Sequence, residues 1–117
     1  TINIFNPWDN PVDSVLVELI KFRNERDWGQ FHNSKDLALA LNVEASELLE
    51  LFLWKGNEEA NPEKLKEELA DVFLYGLLLL EKHGWDFEEI LMDKIRINEA
   101  KYPASKAKGS SKKYNEL

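Results

Sequence analysis

Apolar residues at Val12, Val15, Leu16, Leu19 and Ile20 recur at spacings of three and four, the period of a helix with one buried face. Asn10 precedes that run as an N-cap with Pro11 in the first helical position, and the pattern continues to Gly29. A second helix is predicted from Ser34, as cap, through about Lys35 to Trp54, with Gly56 as its stop. Asn61 and Pro62 repeat the opening signal for a third helix that ends at Gly84. Asp86 and Glu89 form a capping box for a fourth, which Pro103 closes. The one trace of strand-like alternation is Ile2 to Phe5. The expected fold is therefore all-α, a four-helix bundle-like domain over residues 1–103, followed by a Lys/Ser-rich tail over 104–117 that is expected to be mobile unless another chain holds it.

Two of these helices are apolar almost all round. At about 100° per residue, Leu39, Leu49 and Leu53 lie opposite Leu37, Leu48 and Leu51. The third helix, with Leu69, Val72, Phe73, Leu74 and the run Leu77 to Leu80, is similar. A four-helix chain of 117 residues cannot enclose both, so a homo-oligomer, dimer or tetramer, is expected with these helices at its centre.

Within these stripes sit carboxylates. Leu37, Ala40, Leu48 and Leu51 fall within about 40° of Glu44, and Glu47 lies about 60° to one side. Glu50 points about 120° away, where a solvated glutamate is ordinary. On the third helix Glu68 is flanked by Leu65, Val72, Tyr75 and Leu79, with Asp71 one turn on, while Glu67 points away. One acidic pair of this spacing is ordinarily a solvated face; two, each in an apolar stripe on consecutive helices, favour four converging carboxylates. Ionised together in a low-dielectric site they repel strongly, so something positive must offset them. Protons, the side chains of Lys21, Arg23, Lys94 and Arg96, or a divalent cation are the candidates. Oxygen-only ligands, with no cysteine and two histidines in the chain, suit Mg²⁺ or Mn²⁺ better than zinc.

Charge narrows the partners. The chain carries −7, yet residues 104–117 hold four lysines against one glutamate, so the body is more acidic than the whole. Such a body does not grip a phosphate backbone by itself, which argues against nucleic acid. The longest apolar run, around Leu74 to Leu80, is far short of the roughly 20 residues of a membrane span, and no signal segment opens the sequence. A cytoplasmic location is the expectation.

The motif EASE (Glu44, Glu47), followed after twenty residues by ELAD (Glu68, Asp71), resembles the ExxE…ExxD signature of the all-α nucleoside triphosphate pyrophosphohydrolases, the MazG-like group. The stretches ERDWGQFHNSKDLALALNVEASELLELFLW, EELADVFLYGLLLL, KIRINEAKYP and SSKKYNEL look like its dCTP pyrophosphatase branch, so the likeness runs from about residue 12 to the end. That resemblance implies hydrolysis of a deoxynucleoside triphosphate, dCTP or a modified pyrimidine, to the monophosphate and pyrophosphate, as a house-cleaning activity. It implies Mg²⁺, with Mn²⁺ as a substitute, on Glu44, Glu47, Glu68 and Asp71, with Glu47 and Glu44 as the catalytic carboxylates and Glu47 as the base. By motif position His32, Trp54 and Tyr75 resemble residues lining the nucleoside pocket, Trp28 is a further stacking candidate, and Lys94 and Asn98 resemble contacts to the phosphate end. Plainer readings stand beside these: Trp28 and Trp54 as core or interface aromatics, His32 as a structural histidine, Lys94 as a surface lysine, His83 as a helix C-terminal cation. The lysine-rich tail is either a solvated terminus or an arm whose Lys112 or Lys113 reaches a triphosphate in an adjoining subunit. The rival reading of the whole is a non-catalytic nucleotide-binding or helical interaction module.

Overall fold

Helix α1, Pro11–Glu25, begins where the cap signal places it: the Asn10 side chain accepts from the N–H groups of Val12 and Asp13 at 3.0 and 3.4 Å. The computed structural model describes residues 10–117, so the Ile2 to Phe5 stretch lies outside them. The helix stops four residues short of Gly29. Arg26 caps it by donating its N–H to the carbonyls of Arg23 and Asn24, and Asp27 then turns left-handed at φ 53°. Gln30 stabilises this break by donating to the Asp27 carbonyl and carboxylate, at 3.0 and 3.1 Å, and the chain passes through a 3₁₀ turn, Trp28–Phe31. Polar side chains here outcompete the helical period.

Helix α2, Ser34–Glu50, is capped by Asn33 rather than Ser34, because the Asn33 side-chain Oδ1 accepts from Asp36 N–H at 2.8 Å. It also ends before Trp54. Leu51 to Lys55 continue as successive turns, and Trp54 adopts φ 61°, a left-handed conformation that breaks the helix without a glycine. Helix α3, Pro62–Lys82, starts on Asn61 as expected and ends at His83, with Gly84 at φ 69° supplying the left-handed residue beyond it.

Helices α2 and α3 pack along their length, whereas α1 meets α3 at few positions. The buried hydrophobic side chains among the described residues are Leu37 of α2 and Leu77, Leu78 and Leu80 of α3. Leu37 is enclosed; by contrast Leu39, Val43, Leu49, Leu53, Leu69 and Phe73 stay open to solvent in the single chain, as the all-round apolar pattern requires. His83 Nε2 and Ser34 Oγ lie 2.9 Å apart, joining the end of α3 to the start of α2.

Residues 85–117 form a second unit. Asp86 accepts from Glu89 N–H at 2.9 Å and opens α4, Phe87–Lys101. A short α5, Ala104–Ala107, and a 3₁₀ turn, Tyr114–Glu116, follow. Gly109, at φ 78°, lets the chain reverse. Tyr114 then meets Tyr102 edge to face, centroids 6.2 Å apart, and Lys101 Nζ lies 5.1 Å from its ring. The lysine-rich tail, expected to be mobile, thus folds back on the end of α4, held by aromatic contact. All regular structure among the described residues is helical, so the chain is all-α. None of the described helices is long and apolar enough to cross a membrane.

Candidate functional site

The packing of α2 on α3 brings the two acidic pairs together. One carboxylate oxygen each from Glu44, Glu68 and Asp71 lies within 4.8 Å of the others. Glu44 and Glu68 are half-buried, whereas Asp71 is exposed. The Oε2 atoms of both glutamates are buried without a hydrogen-bond partner, a condition that native structures rarely leave unexplained. Glu47, half-buried on α2, stands beside this trio and acts on both glutamates.

The crowding is visible in the proton affinities. Glu44 is pushed up to about 7, first by burial, then by a hydrogen bond and charge from Glu47 and the charges of Asp71 and Glu68. Glu68 is raised by burial and then by a hydrogen bond and charge from Glu47, against a smaller opposing hydrogen bond from Glu44, and Asp71 adds to the rise. Tyr75, one turn beyond Asp71, is raised by burial and then by Glu44, Asp71 and Glu47, which places its phenol beside the cluster. Within the first unit, Lys21 pairs with Glu25 and Arg23 with Glu81, and among its described residues no lysine or arginine pairs with the four carboxylates. Two orphaned buried carboxylate oxygens, in a donor set of oxygens alone, fit a hard divalent cation.

The sequence pattern of the MazG-like family matches residues 39–117, the segment that carries all four of these carboxylates. The chain belongs to the MazG-like family. This MazG-like chain is 42% identical over 105 residues to human dCTP pyrophosphatase 1 and 38% identical over the same length to the mouse protein of that name, in each case across 83% of the chain. It spans 62% of the length of those relatives. Its fold superposes with a TM-score of 0.77 on the crystal structure of a pyrophosphatase from Archaeoglobus fulgidus, at 31% identity, covering 88% of the chain and 99% of that structure.

The remaining residues singled out from the sequence fall in both units. Trp28 and His32 precede the segment that matches the MazG-like pattern. Trp28 meets Phe22 edge to face at 5.6 Å, with the Arg26 guanidinium 3.7 Å above the Phe22 ring and 6.0 Å from that of Trp28. His32 Nδ1 is buried without a partner, and burial followed by the charge of Arg23 lowers the pKa of the ring. Trp54 lies in the turns beyond the far end of α2 and is 100% exposed. Seventeen residues of helix separate the two groups, about 25 Å at 1.5 Å per residue, so His32 and Trp54 of one chain do not face a common ligand the size of a nucleoside. Lys94 and Asn98 lie one turn apart on α4 of the second unit, both exposed.

Two features had no distinguishing signal in the sequence. A cavity of about 440 Å³ opens between α1 and α3, bounded by Ser14, Val15, Glu18, Leu19, Phe22 and Leu74. Glu81, one of several glutamates on an acidic chain, is the partner of Arg23 at 2.7 Å.

Proposed function

We propose that this protein hydrolyses a deoxynucleoside triphosphate, dCTP or a modified pyrimidine analogue, to the monophosphate and pyrophosphate, and so clears unwanted nucleotides from the cytoplasmic pool. One observation carries the proposal: buried, unpartnered carboxylate oxygens of Glu44 and Glu68 converge from two helices within reach of Asp71 and Glu47. The likeness to proteins named dCTP pyrophosphatase 1 supports the substrate class.

Glu44, Glu47, Glu68 and Asp71 would hold Mg²⁺, or Mn²⁺ in its stead. When bound, the cation supplies neutralisation of the triphosphate and a water of lowered pKa. Glu44 holds a proton near neutrality and yields it on loading, which lets the acidic cluster stay folded when empty. Glu47 receives the proton of the attacking water on a carboxylate oxygen as that water adds to the α-phosphorus and pyrophosphate departs. Tyr75 closes the side of the cluster with its ring. Trp28 and Trp54 offer faces for the base, His32 an imidazole able to hydrogen-bond to it, and Lys94 and Asn98 groups suited to phosphate oxygens.

The distance between the two ends of α2 supports a site shared by copies in a homodimer or homotetramer, in which Trp54 of one chain approaches Trp28 and His32 of another. The open apolar face of α2 and α3 supports the same reading.

A phosphate-release panel of all dNTPs and NTPs, coupled to inorganic pyrophosphatase and run with Mg²⁺ or with EDTA, tests the proposal. The expected result is cation-dependent release concentrated in one pyrimidine deoxynucleotide. Silence across the panel and with modified pyrimidines, from folded protein, would favour the non-catalytic binding module instead.

A further inference from the structure

We propose that Arg23 is a positioning residue for base recognition: anchored on Glu81 of α3, its guanidinium backs the Trp28–His32 turn and sets the orientation in which that turn presents Trp28 and His32. The inference rests on reading those two residues as nucleoside contacts.

The turn is tied on its α2 side, where Ser34 Oγ lies 2.9 Å from His83 Nε2, whereas on its α1 side the contacts with α3 are few. Arg23 Nη1 donates to Glu81 Oε2 at 2.7 Å, a short charge-assisted bond across 58 residues of sequence. The two side chains are 17% and 29% exposed. The other ion pairs, Lys21 with Glu25, Lys66 with Glu63 and Arg96 with Asp93, are local to one helix and more than half exposed, a class that contributes little. Among the ion pairs of the described residues, Arg23 with Glu81 is therefore the one that joins two elements.

The Arg23 side chain also faces the turn: a Cβ added at Gly29 would sit in ordinary contact with it, 3.6 Å from Nε and 3.8 Å from Cδ, so the arginine lies about one methyl group from the glycine. Nε donates to Asn24 Oδ1 at 3.1 Å, which leaves the planar fork one orientation. His32 N–H donates to the Gly29 carbonyl at 3.2 Å, so displacement of Gly29 carries His32 with it. Burial and then the charge of Arg23 lower the pKa of the His32 ring, whose Nδ1 is enclosed and unpartnered. On the other side Arg26 covers Phe22, on whose ring Trp28 is set. Arg23 thus locates the turn relative to α3, the helix that carries Glu68 and Asp71, while Arg26 orders the aromatics within it.

Four variants test this: Arg23→Met, Glu81→Met, both together, and the exchange Arg23→Glu with Glu81→Arg. Each is read by steady-state kinetics on the substrate that the panel identifies and, without nucleotide, by amide hydrogen exchange over residues 28–33. A misplaced contact costs up to about a hundredfold, and partial release of one turn should raise KM roughly tenfold with kcat within about twofold. The double Met variant should be no worse than either single, and the exchanged pair should recover most of the KM and the slow amide exchange. Exchange over 28–33 at the wild-type rate in both single variants would overturn the latch; faster exchange with unchanged KM would overturn its role in recognition. Should a Met variant fail to fold, Arg23→Lys, which keeps the charge and loses the fork, gives the same two readings. An inactive wild type counts against the proposed function, and the nucleotide-free exchange still decides whether Arg23 pins the turn.

Discussion

Glu44 on α2 and Glu68 on α3 each bring a carboxylate oxygen within 4.8 Å of the other, and each keeps its Oε2 buried and unpartnered. That arrangement costs stability whenever both are ionised. The folded-state pKa of Glu44, about 7, lies above the ordinary 4.5, so the fold holds a proton that the unfolded chain releases. The stability this proton lends is complete below 4.5 and is lost as pH climbs through 7. In EDTA, the melting temperature of wild type should fall across that interval more steeply than that of Glu44→Gln, and at pH 8 Mg²⁺ should raise the wild type by several degrees and the variant by less. Parallel pH profiles for the two proteins in EDTA would remove the carboxylate cluster as the cause.

Glu44→Gln should therefore be more stable than wild type at pH 8 in EDTA while losing turnover. Glu47→Gln and Asp71→Asn should each lower kcat by at least about a hundredfold with the helical circular-dichroism signal unchanged. Full activity in both would dissociate these carboxylates from the chemistry.

Trp54, wholly exposed and left-handed in the single chain, gains a role only against a base or another subunit. Stacking is present equally before and during reaction, so Trp54→Ala should raise KM about tenfold with a smaller change in kcat. A loss confined to kcat would count against stacking.

Phe73 is 59% exposed and Leu49 70% exposed. Light scattering at micromolar concentration should return the mass of a dimer or tetramer for wild type, and Phe73→Glu with Leu49→Glu should lower it, because a buried charge without a partner opposes association. A monomeric wild type would overturn the assembly.

Helix starts were the most legible part of the fold: Asn10, Asn61 and Asp86 cap where the local pattern places them, since capping involves residues two or three apart. Two helix ends were misplaced for the opposite reason. The left-handed turns at Asp27 and Trp54 follow no glycine, and the bonds from Gln30 that support the first look like any polar loop in one dimension. Family membership was likewise readable, because two acidic pairs at fixed helical spacing are a local signature.

What the sequence by itself determined was which carboxylates share an apolar face of each helix, and the family signature that their spacing writes. Only the tertiary structure decided their grouping. The packing of α2 on α3 set Glu44, Glu68 and Asp71 together and left two oxygens orphaned, the reach of Arg23 joined it to Glu81, and the length of α2 held His32 and Trp54 apart. Helical periodicity tells which residues share a face of one helix; which face meets which, and at what distance, depends on contacts between residues far apart in the chain.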